Sequence, residues 1–302
     1  MIKEMIRELE EIENAMRTAQ GAELAQFAAR REALLHQLSD LTPEQKVLMA
    51  RYPKRPKIGQ YLSALFTDFF VQRGDRQCRE DRSILGGIAL FHGRPVTVLG
   101  HLKGSNLEEN LACNFGMPGP EGYRKALRLM KQAEKFGRPV ITFIDTPGAY
   151  PGMEAEERGQ GEAIARNLAE MSRLRVPVIS IVTGEGNSGG ALALGLADRI
   201  LMLENAYYSV VTPEGCASIL WKDPKKRDEA CLALKLTAQD LLGFGVIDGI
   251  IPEAVGGAQR DTKTLFERID RELLQALRAL DGKDADTLVR ERYAKYRRIG
   301  LA

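Results

Sequence analysis

Val178-Ile179-Ser180-Ile181-Val182-Thr183-Gly184-Glu185-Gly186-Asn187-Ser188-Gly189-Gly190-Ala191 joins a β-branched run, a glycine-rich turn and the start of an apolar helical pattern. The same device stands upstream, where Val140-Ile141-Thr142-Phe143-Ile144 leads into Asp145-Thr146-Pro147-Gly148-Ala149-Tyr150-Pro151-Gly152. A strand that ends in glycines and opens a helix leaves backbone N–H groups unpaired at the helix N-terminus, where the macrodipole favours negative charge. Two such turns point to a site that works through backbone donors.

Outward from the turns, strand and helix patterns alternate over 140–145, 155–173, 177–183, 189–197 and 199–204, which predicts an α/β layered domain. Ile84–Phe91 and Pro95–Leu102 read as a strand pair turned at His92-Gly93-Arg94, and 119–136 reads as a helix with a wet basic face that includes Arg124 and Lys125. Pro213–Trp221 and 237–243 are short helices, Val246–Ile251 is a last strand, and 262–280 and 285–297 are charged amphipathic helices. Upstream, 2–19 and 22–38 form a helical hairpin, and Thr42 caps a third helix with Pro43 at its first position. This gives an N-terminal helical region, 1–51, and a second domain, 52–302. The junction Tyr52-Pro53-Lys54-Arg55-Pro56-Lys57 reads as a solvated basic linker.

The chain has 302 residues, 44% of them apolar, and a net charge of +2. That balance gives no argument for nucleic acid or a membrane surface as partner. The charged start, Met1-Ile2-Lys3-Glu4, lacks the apolar core of a secretory signal, and no stretch approaches the ~18 apolar residues of a membrane span, so a cytoplasmic location is expected. Cys78, Cys113, Cys216 and Cys231 form no Cys-x-x-Cys pair, so neither a zinc site nor a disulfide framework is expected in this chain.

Three chemistries compete for the glycine turns. Gly184-x-Gly186-x-x-Gly189 spells a dinucleotide fingerprint, with Glu204 about twenty residues on, the alternative being an NAD-dependent oxidoreductase. Gly186-Asn187-Ser188-Gly189-Gly190 spells the nucleophile elbow of serine hydrolases, but His36, His92 and His101 all precede Ser188, which is better read as a helix N-cap. The third reading takes the two turns as halves of one oxyanion-binding site built from backbone N–H groups, with glycine permitting close approach. It alone explains both turns. Other residues carry weaker signals. Lys103 is either a contact to an anionic substrate or a solvated lysine, Glu156, Glu157 and Arg158 suit a subunit contact, and Trp221 suits core or interface packing.

At these residues the chain resembles the alpha subunit of the carboxyltransferase component of bacterial-type, multi-subunit acetyl-CoA carboxylase. The resemblance rests on Asn114–Pro118, Pro120–Ala126, Phe143–Gly152, Glu156–Gln160, Ser188–Ala193 and Pro213–Trp221, in order and in register. It implies a crotonase-like (ClpP/crotonase) α/β fold, a spiral of ββα units with the N-terminal hairpin and C-terminal helices attached. It implies an α2β2 assembly with a carboxyltransferase beta subunit, in which zinc is expected. The implied task is to move a carboxyl group from carboxybiotin, held on a biotin carboxyl carrier protein, to acetyl-CoA. The product is malonyl-CoA for fatty-acid synthesis, and a separate biotin carboxylase uses the ATP. By motif match the carboxybiotin-side donors are the backbone N–H groups of Gly148, Ala149, Gly189 and Gly190, with Ala191 adjoining. Two positions depart from the family's usual letters. Asn187 stands for Gly, in a turn whose left-handed geometry Asn tolerates, and Ser105 stands for Arg, which removes a basic contact.

Overall fold

The computed structural model describes residues 2–301. Helices α1 (Ile2–Ala15), α2 (Gly21–Ser39), α3 (Pro43–Ala50) and α4 (Ile58–Leu65) lead into strands β1 (Thr67–Val71), β2 (Ile84–Phe91) and β3 (Arg94–His101). After α5 (Leu107–Ala112) and α6 (Pro120–Lys135) come β4 (Val140–Thr146), α7 (Met153–Glu157), α8 (Gln160–Arg173), β5 (Val178–Asn187), α9 (Ser188–Gly195), β6 (Arg199–Leu203) and β7 (Tyr207–Ser209). Helices α10 (Pro213–Trp221), α11 (Arg227–Leu234) and α12 (Ala238–Gly243) precede β8 (Gly249–Ile251), and α13 (Thr262–Leu280) and α14 (Ala285–Arg298) follow.

All eight strands share one sheet in the order β1-β2-β3-β4-β5-β6-β8, with β7 alongside the far end of β5. The pairs β1–β2 and β2–β3 are antiparallel, and from β3 onward every pairing is parallel. Every residue of β4 and β5 is buried. That matches their near-continuous apolar runs, since a parallel strand covered on both faces has no solvated side to alternate with. Because β4 and β5 are adjacent and parallel, in register from Val140↔Val178 to Thr146↔Gly186, their glycine turns leave the sheet side by side. The ten residues of β5 pair first with β6, Ile179–Val182 against Arg199–Met202, and then with β7, Glu185–Asn187 against Tyr207–Ser209. That second pairing sets Tyr207 beside the second turn.

The main core runs from α4 through the sheet to α13 and α14, with Tyr61, Phe143, Ile181, Met202, Ile269 and Leu273 at its centre. The first three helices add a separate apolar cluster of Ile2, Ile6, Leu9, Leu34, Leu38 and Met49. Thr42 caps α3 through a full capping box with Gln45, and Pro43 takes the first turn, as the sequence predicts. The junction after α3 departs from the expected solvated linker. Arg55 is 1% exposed, and its guanidinium grips Glu253 with two N–H groups while Nε donates to the Thr183 carbonyl at 2.6 Å. Lys125 likewise leaves the wet face assigned to it: it is buried, and its ammonium donates to Glu80 Oε1 and to the carbonyls of Asp81 and Ile84. In both cases burial is sustained because every donor nitrogen finds an acceptor. The predicted strand over Val246–Ile251 is shorter, Gly249–Ile251, because the Val246 N–H turns back to the Leu241 carbonyl.

Candidate functional site

The two turns meet at Gly190. A Cβ built there would sit 2.6 Å from the Gly148 carbonyl carbon and closer still to the Ala149 nitrogen, so only glycine lets the start of α9 lie against the first turn. In that first turn Gly148 has φ +141°, and Thr146 clasps it: the Gly148 N–H donates to Thr146 Oγ1 at 3.0 Å and the hydroxyl donates to the Gly148 carbonyl at 2.9 Å. The next N–H, that of Ala149, makes no hydrogen bond among the described residues. Residues 188–190 form the first turn of α9, where N–H groups have no intrahelical acceptor. Unpaired amides from Ala149 and from the start of α9 therefore gather where Gly190 touches Gly148 and Ala149.

Asn187 and Ser188 exchange the roles expected of them. Asn187 is extended, φ −116° and ψ 137°, and is the residue before the helix, whereas Ser188 takes the left-handed conformation at φ +58°. The Ser188 hydroxyl does not cap α9. Instead the Asn187 side chain turns inward, donating to Tyr207 Oη at 2.9 Å and to the Thr146 carbonyl at 3.4 Å.

Beneath the turns lies a charged floor. Lys103, just past the end of β3, donates to Asp145 Oδ1 and Glu185 Oε1, both at 2.7 Å, so it is neither free nor merely solvated. Asp145 Oδ1 also accepts from the Glu185 N–H at 3.1 Å, and a Cβ at Gly184 would lie 2.6 Å from the Asp145 carboxyl carbon. The other Glu185 oxygen accepts from Arg51 Nε and from Tyr207 Oη, both at 2.8 Å, and Arg51 reaches on to Glu214. Burial by itself would raise the Glu185 carboxyl, but the charges of Lys103 and Arg51 outweigh it and hold the group at about 2. Burial lowers the Lys57 ammonium, with the charge of Asp145 acting against it. His101 is 2% exposed, neither ring nitrogen has a hydrogen-bond partner, and burial pushes it down to about 4, so it is neutral at pH 7.

A largely apolar cavity of about 410 Å³ opens beside the second turn, lined by Ser188, Gly189, Leu192, Tyr208, Val210 and Tyr296. Glu156 and Glu157 lie exposed in α7, and Arg158 donates to Glu121 Oε1 at 2.6 Å. Ser105 is exposed, with its N–H on Glu109. Trp221 is 37% exposed at the end of α10. Among the described residues no cluster of His, Cys, Asp and Glu has the form of a metal site, the cysteines are free thiols, and no helix is long and apolar enough to cross a membrane.

The topology gives the dinucleotide fingerprint no support. Strands β3 to β6 follow one another across the sheet without the reversal of order that opens a cofactor crevice. Glu204 is also engaged, accepting the Glu253 N–H at 3.0 Å. The sequence-level reading missed Arg51, Tyr207 and the depth of Lys103. Their carboxylate partners lie far off in the chain, 134 residues in the case of Arg51 and Glu185, and no local pattern connects them.

Residues 1–300 match the model of the family described as acetyl co-enzyme A carboxylase carboxyltransferase-like. The chain belongs to this carboxyltransferase family. An acetyl-coenzyme A carboxylase carboxyl transferase subunit alpha from Geobacillus kaustophilus is 53% identical over 301 residues, covering 98% of this chain and 93% of the relative. The protein of that name from Anoxybacillus flavithermus is 52% identical over 300 residues, covering 99% and 92%. Among solved structures, a transcarboxylase 12S with methylmalonyl-coenzyme A bound superposes with a TM-score of 0.61 at 19% identity, over 80% of this carboxyltransferase chain and 44% of the other. A Pseudomonas malonate decarboxylase hetero-tetramer in complex with coenzyme A gives 0.58 at 19% identity, over 72% and 86%. The carboxyltransferase thus has the crotonase-like fold that the resemblance implies.

Proposed function

We propose that this chain is the alpha half of an acetyl-CoA carboxylase carboxyltransferase. With a beta subunit, in an α2β2 assembly, it moves the carboxyl group of carboxybiotin from a carrier protein to acetyl-CoA and so forms malonyl-CoA. The observation that carries this reading is the contact of Gly190 with Gly148 and Ala149, which brings the unpaired amides of two adjacent strand-to-helix turns to one place. Negative charge that develops on an oxygen during the transfer is stabilised by such fixed donors, which need no reorganisation as the reaction proceeds.

On this reading Ala149, Gly189 and Gly190 offer N–H groups to the carboxybiotin side. Gly148 supplies the backbone conformation that presents Ala149, its own N–H being held by Thr146, and Ala191 anchors the helix behind them. The carried carboxybiotin would supply the carboxyl group, and the cavity beside the second turn has Gly189 in its lining. No acid–base side chain is required of this chain, in keeping with a buried, neutral His101. Zinc belongs to the beta subunit and ATP to a separate biotin carboxylase, the working location is the cytoplasm, and residues 1–51 serve as a helical region attached to the catalytic domain of 52–302.

The test is co-expression with the beta subunit of the same genome, purification of the complex, and an assay of carboxyl transfer between malonyl-CoA and biocytin. Turnover in the complex and none in the single chain is expected. No turnover in a well-formed complex, or tight NADH binding by this chain, would overturn the reading.

A further inference from the structure

Three consecutive strands each deliver one charged residue to the same point under the glycine turns. Lys103 follows β3, Asp145 lies in β4 one residue before Thr146, and Glu185 lies in β5 two residues before Asn187. Lys103 Nζ stands 2.7 Å from a carboxylate oxygen of each, and all three side chains are between 9% and 13% exposed. The Lys103 stem is enclosed as well, since a Cβ at Gly116 would touch its Cγ at 2.8 Å. The ammonium therefore bridges the stem of the first turn to the stem of the second.

We propose that Lys103 is a positioning residue of the carboxyltransferase: by tying Asp145 to Glu185 it fixes the spacing between the two turns, and hence the aim of their backbone N–H groups. This rests on the reading of the turns as one oxyanion site. The bridge has a physical task that backbone pairing leaves undone. The β4–β5 register is irregular between Ile144 and Thr146, where the strands begin to part into their turns. Two carboxylates packed together there repel, and a cation between them converts the repulsion into a tie. Arg51 and Tyr207 hold the outer oxygen of Glu185 and Asn187 joins Tyr207 to the Thr146 carbonyl, so Lys103 is the inner member of a set that straddles both turns. The neighbouring charges are Lys57, Arg55, Arg51 and Glu214.

The test uses the purified complex with the beta subunit and the exchange between malonyl-CoA and biocytin. Lys103→Met is expected to lower kcat about 100-fold while the KM for malonyl-CoA moves by less than about threefold, because misaimed donors are lost mainly in the transition state. Lys103→Arg, which can also span two carboxylates, is expected to recover about tenfold or more of that loss. The double variant Lys103→Met/Asp145→Asn removes the carboxylate that the single variant leaves without a cation, since Glu185 keeps Arg51, and so separates loss of the tie from a stranded charge. A tie predicts that it stays about 100-fold impaired, whereas a charge-balancing role alone predicts recovery. Wild-type kcat in Lys103→Met, or recovery in the double variant, would overturn the proposal. If the wild-type complex itself fails to exchange carboxyl groups, the transferase reading falls instead, so the two failures are distinct.

Discussion

Gly190 and His101 make opposite kinds of prediction. Gly190→Val drives branched carbon into the Gly148–Ala149 peptide. Carboxyl transfer is expected to fall by about 100-fold or more, through displaced donors, while assembly with the beta subunit persists. Unchanged turnover would remove Gly190 from the site. His101 concerns stability. Its folded-state value is lowered from 6.5 to about 4 by burial, so between those values the unfolded chain binds more protons than the folded one. Its contribution is therefore complete above about pH 6.5 and is lost as the pH falls to about 4, a difference of about 3 kcal/mol. Urea unfolding at pH 7 and pH 4.5 should show a smaller loss in His101→Gln than in the wild type. Asn187→Gly places glycine at a position whose φ of −116° any residue adopts. It is expected to keep transfer within about threefold and to cost about 1 kcal/mol, because two side-chain hydrogen bonds vanish together with a buried, unpartnered Oδ1.

Elements whose pattern is local were legible in the sequence, and elements defined by distant partners were not. The capping box at Thr42, the paired strands around His92-Gly93 and the buried runs of β4 and β5 follow from spacing and turn chemistry alone. Strand β1, Thr67–Val71, escaped because its edge position leaves Phe70 69% exposed and its apolar alternation broken. The glycines of the site were legible for the same local reason, whereas Lys103 and Arg55 looked like ordinary solvated cations. Arg55 finds Glu253 across 198 residues of sequence. That pair anchors the segment between α3 and α4 to the core, and removing Arg55 leaves a buried carboxylate without its cation, held only by the amides of Asn205. Arg55→Met should therefore cost about 3–5 kcal/mol by chemical denaturation, and Arg55→Met/Glu253→Gln, which removes the charge but keeps an acceptor for Asn205, should regain part of it. A loss below about 1 kcal/mol in the single variant would show that the pair contributes little.

At the scale of the whole molecule, exposed apolar side chains at the end of α10 invite a partner. Ile219 and Leu220 are 65% and 60% exposed, and they adjoin Trp221, the single tryptophan of the chain. Larger exposed apolar surfaces mark interaction sites. Addition of the beta subunit is expected to shift the tryptophan emission to shorter wavelength, measured with a tryptophan-free beta subunit, and an unchanged spectrum on complex formation would place α10 outside the interface. The sequential strand order has a consequence for motion as well. The salt tie under the turns draws on residues at the ends of β3, β4 and β5 together. Amide hydrogens of β4 and β5 should exchange with deuterium only on the timescale of global unfolding, whereas α1 and α2, with an apolar cluster of their own, can exchange through a smaller opening. The frame that carries the two turns is thus expected to last as long as the fold itself.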